Sequence, residues 1–112
     1  MSSRLEYEFF KALLVILAGG IATPLLAEPS MARQKELVHL VRQDCGSCHG
    51  LTLQGGLGPP LLPATLADKP VEGLVATIIG GRLGTPMPPW HRFLTEDEAK
   101  WIVAKLMAGF PE

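Results

Sequence analysis

Cysteine is scarce: the 112 residues contain two, Cys45 and Cys48, and both lie in one short stretch. No cysteine is left over for a disulfide framework, and the count alone says nothing about compartment. Aromatic residues are also few, at 6%. Runs of Lys or Arg are absent, no cationic patch is interleaved with aromatics, and the formal net charge is −1, so nothing argues for a nucleic-acid partner. There is no Gly-rich phosphate loop and no internal repeat. A chain of this length holds one small domain, whose core is marginal unless something staples it.

What is there begins with Cys45-Gly46-Ser47-Cys48-His49. Two thiols separated by two residues, followed at once by a His, form the attachment signature of c-type haem. The spacing lets both sulfurs reach the two vinyl groups on one porphyrin edge, and it delivers the His49 imidazole to one face of the iron as proximal ligand. Gly46 and Ser47 are small enough for a short loop to curl against the macrocycle. A Cys-x-x-Cys also occurs as a redox dithiol or as half of a zinc site. Zinc asks for further Cys or a spaced His pair, and the remaining histidines are His39 and His91. A dithiol has no need of the adjacent His. A covalently held haem is also the staple that a small chain needs, so the haem-free chain is expected to fold poorly.

Residues 1–27 read as a leader. Arg4 and Lys11 precede an apolar run, Ala12 to Ala18, that continues through Gly19, Gly20 and Pro24 to Ala27. Cleavage after Ala27 places Leu25 at −3, and cleavage after Ala22 places the smaller Gly20 there. The rival is a retained membrane anchor, but the interrupted run falls short of the roughly 18–20 clean apolar residues of a span. Both readings put the folded part, 28–112, outside the cytoplasm, in the periplasm.

The folded part reads as all-α, with three main helices. Met31 to Asp44 has Leu37, Val38 and Val41 on one side and Arg33, Lys35, Glu36 and Arg42 on the other; His39 falls among the charged neighbours as a surface residue. Residues 50–69, punctuated by Gly55, Gly56, Gly58, Pro59, Pro60 and Pro63, read as a loop wrapped on the cofactor edge. Pro70 opens a short helix at its first turn, striped by Leu74, Val75 and Ile78 and stopped by Gly80-Gly81. After a second loop, 82–94, Thr95-Glu96-Asp97-Glu98 spells a capping box. The helix behind it buries Ala99, Ile102, Val103 and Leu106, with Trp101 alongside.

The iron's second axial position needs a donor opposite His49. Gly84-Thr85-Pro86-Met87-Pro88-Pro89-Trp90 offers Met87, held extended by prolines on both sides. A neutral thioether prefers ferrous iron and raises the reduction potential. Met87 also fits as a loop hydrophobe, and His91, four residues on, competes as a ligand that lowers the potential. Met31 and Met107 look like packing residues. Arg82 and Trp90 flank the Met loop, where they serve either the haem propionates or the surface and the packing.

The order of helix, Cys-x-x-Cys-His, Gly-Pro-x-Leu, middle helix, Met-Pro loop and aromatic-bearing last helix resembles the class I c-type cytochromes over nearly the whole chain after the leader. The resemblance implies that the Pro59 carbonyl of Gly58-Pro59-Pro60-Leu61 accepts the His49 Nδ1–H, that Leu61 packs on the haem, and that Trp101 crosses the first helix. Asp44 to Thr52, Gly55 to Leu61 and Gly84 to Trp90 together look like the cytochrome c55X group, the NirC-type proteins. That group implies a periplasmic monohaem electron carrier serving cytochrome cd1 nitrite reductase in denitrification, or an accessory factor in that enzyme's maturation. The expected site is therefore Cys45, Cys48, His49, Pro59, Leu61 and Met87, with His49 and Met87 on the iron of one haem c. It exchanges single electrons with redox partner proteins through a small docking patch, under about 1,200 Å². A haem enzyme such as a peroxidase ranks last, because no acid or base stands near the motif.

Overall fold

The computed structural model describes residues 28–112 together with Arg4; the rest of the expected leader, 1–27, lies outside the described residues. The described chain is helical, with α1 at Met31–Leu40, a π-helical stretch at Val41–Cys45, α2 at Gly46–His49, α3 at Pro63–Leu66, α4 at Val71–Gly80 and α5 at Glu96–Ala108. No strand occurs among the described residues, and none of their helices is long and apolar enough to cross a membrane.

Each long helix begins where local chemistry dictates. The Ser30 hydroxyl accepts the Arg33 N–H at 3.2 Å and caps α1. Pro70 sits at the N-cap of α4, one residue earlier than its expected place, with a helical φ of −63° but an extended ψ of 132°. Thr95 and Glu98 close the expected box at the start of α5: Glu98 N–H donates to Thr95 Oγ1 at 3.1 Å, and Thr95 N–H donates to Glu98 Oε2 at 3.0 Å.

The helix expected to end at Asp44 does not end there. It passes through a π turn and runs on to His49, so Gly46 and Ser47 are helical rather than looped. Both are weak helix formers, which is why they read as a loop. Gly46 is kept helical by close packing, since a Cβ there would stand 3.3 Å from the Leu51 Cα. The 50–69 segment also carries one helical turn, α3, begun by Pro63 at a position where its missing N–H costs nothing. Met31, expected to pack, is 72% exposed, because it is the first residue of α1 and lies beyond the buried stripe.

Leu37 and Val41 of the first helix share a buried cluster with Trp101, Ile102 and Leu106 of α5, and Leu53, Leu66 and Leu94 join it from the loops and α3. Val75 of α4 packs with Ala99 and Val103 on a second patch of α5. Leu74, Ile78, Ile79 and Met107 touch both clusters and make one core of them.

Arg33 bolts α1 to α5. Its guanidinium donates to Glu98 at 2.7 Å and 3.2 Å, to Glu36 at 2.8 Å and to the Phe93 carbonyl at 3.1 Å. Donation from Arg33, and secondarily from the Thr95 N–H, holds the Glu98 carboxyl below its ordinary range. A depressed folded-state pKa contributes stability that is complete above the ordinary carboxylate value and is lost as pH falls through the lowered one. Glu98→Gln is therefore expected to cost about 1 kcal/mol at neutral pH and to flatten the acid limb below the ordinary carboxylate range. Thermal melts of both proteins from neutral to acid pH measure it.

Candidate functional site

Cys45 closes the π turn and Cys48 lies three residues on in α2, so both thiols leave the same side of the helix about one turn apart. They are half-buried and not bonded to each other. Burial, followed by the neighbouring Asp44 charge, pushes the Cys45 thiol up to about 11. A dithiol oxidoreductase needs the opposite, a thiol whose pKa is lowered so that the thiolate attacks. Among the described residues no three His, Cys, Asp or Glu side chains are grouped so as to hold a metal ion.

His49 ends α2. Its Nδ1 lies 2.7 Å from the Pro59 carbonyl oxygen, the contact that fixes the ring and leaves Nε2 as the nitrogen free for a metal. The loop that brings Pro59 there folds back onto the helix end. Gly55 N–H donates to the His49 carbonyl at 2.7 Å, and Gly58 N–H donates to that of Cys48 at 2.8 Å. Gly58 lies flat on the imidazole: a Cβ would stand 2.7 Å from Cε1 and 2.8 Å from Nδ1. Gly58→Ala is therefore expected to lift the ring off its seat. Overpacking of this kind costs about 2 kcal/mol, and chemical denaturation of the holoprotein measures it.

Leu53 anchors the same loop from below. It is 2% exposed at φ 61°, a left-handed conformation that a Leu adopts only when its surroundings impose it. Its carbonyl accepts the Leu61 N–H at 2.9 Å, and Leu61 is half-buried against the main core cluster. Arg42, read from the sequence as a solvent-facing charge, instead ties the π turn to the C-terminal tail. It donates to the Phe110 carbonyl at 3.1 Å, to that of Pro111 at 2.9 Å and to that of Leu51 at 3.4 Å. Neither role carries a local sequence signal, because each depends on a segment that returns from elsewhere.

The Met87 loop is closed by its own backbone. Arg82 N–H donates to the Met87 carbonyl at 3.1 Å, and the Thr85 hydroxyl donates to that of Arg82 at 2.8 Å. Beyond the prolines, Trp90 N–H reaches the Ile78 carbonyl at 3.0 Å and His91 N–H that of Ile79 at 3.3 Å, which fastens the loop along the end of α4. Met87 is half-buried, whereas His91 and Arg82 are exposed. Trp90 packs on the core and against Phe93, with ring centroids 5.8 Å apart.

The donors present fit a haem c: two thiols on one helix side, an imidazole with Nδ1 engaged and Nε2 free, and a thioether on a rigid loop. A haem bound here supplies a one-electron couple. Cys45 and Cys48 would anchor it, His49 and Met87 would face its iron, and Pro59 would orient His49.

Residues 32–104 match the family model described as cytochrome C oxidase, cbb3-type, subunit III. The chain is 55% identical over 102 residues to cytochrome c55X of Pseudomonas aeruginosa, which covers 88% of this chain and 86% of that protein. The structure of the c-type cytochrome NirC superposes with a TM-score of 0.71 at 57% identity, over 72% of this chain and 95% of that one. A further relative is the dihydro-heme d1 dehydrogenase of Pseudomonas aeruginosa, 35% identical over 99 residues. That match covers 88% of this chain but only 19% of the enzyme.

Proposed function

This chain belongs to the c-type cytochromes, among relatives of the cytochrome c55X and NirC kind, and on that premise we propose that it is a periplasmic monohaem carrier of single electrons that serves cytochrome cd1 nitrite reductase. The observation that carries the reading is the 2.7 Å approach of His49 Nδ1 to the Pro59 carbonyl, which holds the imidazole in one orientation and keeps Nε2 for the iron. Cys45 and Cys48 would hold a haem through thioethers, and Met87 would offer its iron a donor besides His49.

With His49 and Met87 both given to the iron of a bound haem, the chain would leave no position there for a substrate. The reading is accordingly a carrier rather than an enzyme. Single-electron transfer asks of the chain only that its ligands stay in place between redox states and that its surface docks briefly. Leader removal within 1–27 accompanies export and is read from the mass of the mature N-terminus.

Mixing the reduced protein with purified cytochrome cd1 nitrite reductase in a stopped-flow instrument tests the proposal. Full oxidation of one haem equivalent on the timescale of turnover is expected, and transfer far slower than turnover rejects it.

A second reading is favoured by the relation to dihydro-heme d1 dehydrogenase, in which a segment like this chain is one fifth of a larger enzyme. On that reading this chain serves maturation of the nitrite reductase's second cofactor. A deletion strain whose nitrite reductase lacks that cofactor supports it, and one with a fully loaded but electron-starved enzyme supports the carrier.

A further inference from the structure

Gly81 looks from the sequence like the stop of α4, yet it does more than end a helix. Its φ of 67° and ψ of −170° lie in a region that essentially glycine alone occupies. A Cβ at this position would stand 2.7 Å from the Pro88 carbonyl carbon, 2.7 Å from the Pro89 nitrogen and 2.8 Å from the Met87 carbonyl oxygen. All three are backbone atoms of a rigid Met-Pro-Pro run, so none can swing aside as a side chain would. The next residue, Arg82, donates its N–H to the same Met87 carbonyl at 3.1 Å. The backbone that carries the thioether is thus seated directly on residue 81, with no side-chain layer between.

We propose that Gly81 is a positioning residue for Met87: the absence of a side chain at 81 sets how closely the Met87-Pro88-Pro89 backbone approaches the end of α4, and so where the thioether is held. This rests on the reading of Met87 as axial donor. The neighbouring Gly80 provides the control. It is the last residue of α4, and a Cβ on it would meet nothing within 4 Å. The same chemical change one position earlier therefore leaves the seat intact.

The test compares Gly81→Ala, Gly80→Ala, Thr85→Val and Met87→Ala as purified haem-loaded proteins. The readouts are the ferric sulfur-to-iron charge-transfer band and the concentration of imidazole that displaces the native ligand. Gly81→Ala is expected to weaken the band and to let imidazole in at about tenfold lower concentration, the scale of a strained backbone position. Gly80→Ala is expected to match the parent in both. Thr85→Val removes both bonds of the hydroxyl, the one it donates to the Arg82 carbonyl at 2.8 Å and the one it accepts from the Met87 N–H at 3.4 Å, but leaves the contact of Gly81 with the Met87-Pro88-Pro89 backbone unchanged, so it too is expected to match. Should Gly81→Ala fail to fold, Thr85→Val still decides: loss of the band there means that the loop's own bonds hold the thioether, and the proposal falls. It falls equally if Gly81→Ala keeps the parent band and imidazole affinity while Met87→Ala loses the band, an outcome that leaves Met87 as ligand. If Met87→Ala itself keeps the band, the ligation reading fails, and this proposal with it.

Discussion

A chain with both Cys45 and Cys48 replaced by alanine is expected to emerge colourless and to lose most of its far-UV helix signal. The reason lies in how little core the polypeptide makes for itself. Among the described residues, the largest fully buried side chains are Leu37, Val41, Leu53 and Val103; Val103 lies on α5 and the other three share a cluster with its residues. The segments on either side of the site also leave large apolar side chains in the open: Leu57 is 88% exposed and Leu83 fully so. Leu53 keeps an unfavourable φ while the loop between α2 and α3 is held in place. Burying about 25 cal/mol per Å2 over so small a cluster barely offsets the entropy of ordering the chain. A porphyrin anchored at α2 would add a large apolar surface to so small a core. Circular dichroism and thermal melts of the double variant, expressed with a working attachment system, measure the effect. Parent-like helix content with a parent-like melt would show that the polypeptide core suffices.

Met87→Ala is expected to lower the reduction potential by on the order of 100 mV or more, a fraction of the roughly 0.8 V that axial ligation spans. A soft neutral thioether stabilises ferrous over ferric iron, so its loss favours the oxidised state. The opened position is also expected to admit cyanide or carbon monoxide far more readily than the parent protein does. His91→Ala is expected to change neither property. His91 is exposed, and its backbone is fastened to Ile79 by a 3.3 Å hydrogen bond along the end of α4. A redox titration followed by spectra reports potential and ligand identity together. Loss of the charge-transfer band in His91→Ala, with retention in Met87→Ala, would reverse the assignment.

The pattern of what the sequence discloses follows the range of the interactions. The haem-attachment pentapeptide, the capping box of Thr95 and Glu98 and the apolar stripe of α5 are written within a few residues each, and the structure repeats the box and the stripe. The continuation of helix through Gly46 and Ser47 is different. Propensity argues for a loop there, and the close approach of Leu51 overrides it. Arg42 shows the same limit, since a charge three residues before the motif reads as solvated until the tail at Phe110 and Pro111 comes back to meet it.

The sequence by itself determined the donor types on offer, the helical class and the start of the last helix, because those depend on residue identity and short spacing. Only the tertiary structure decided which backbone Met87 rests on, how Arg42 reaches the C-terminal tail and how Arg33 reaches Glu98 across 65 residues. Contacts of that kind arise when segments distant along the chain are packed together, and close packing selects among neighbours that no local pattern specifies.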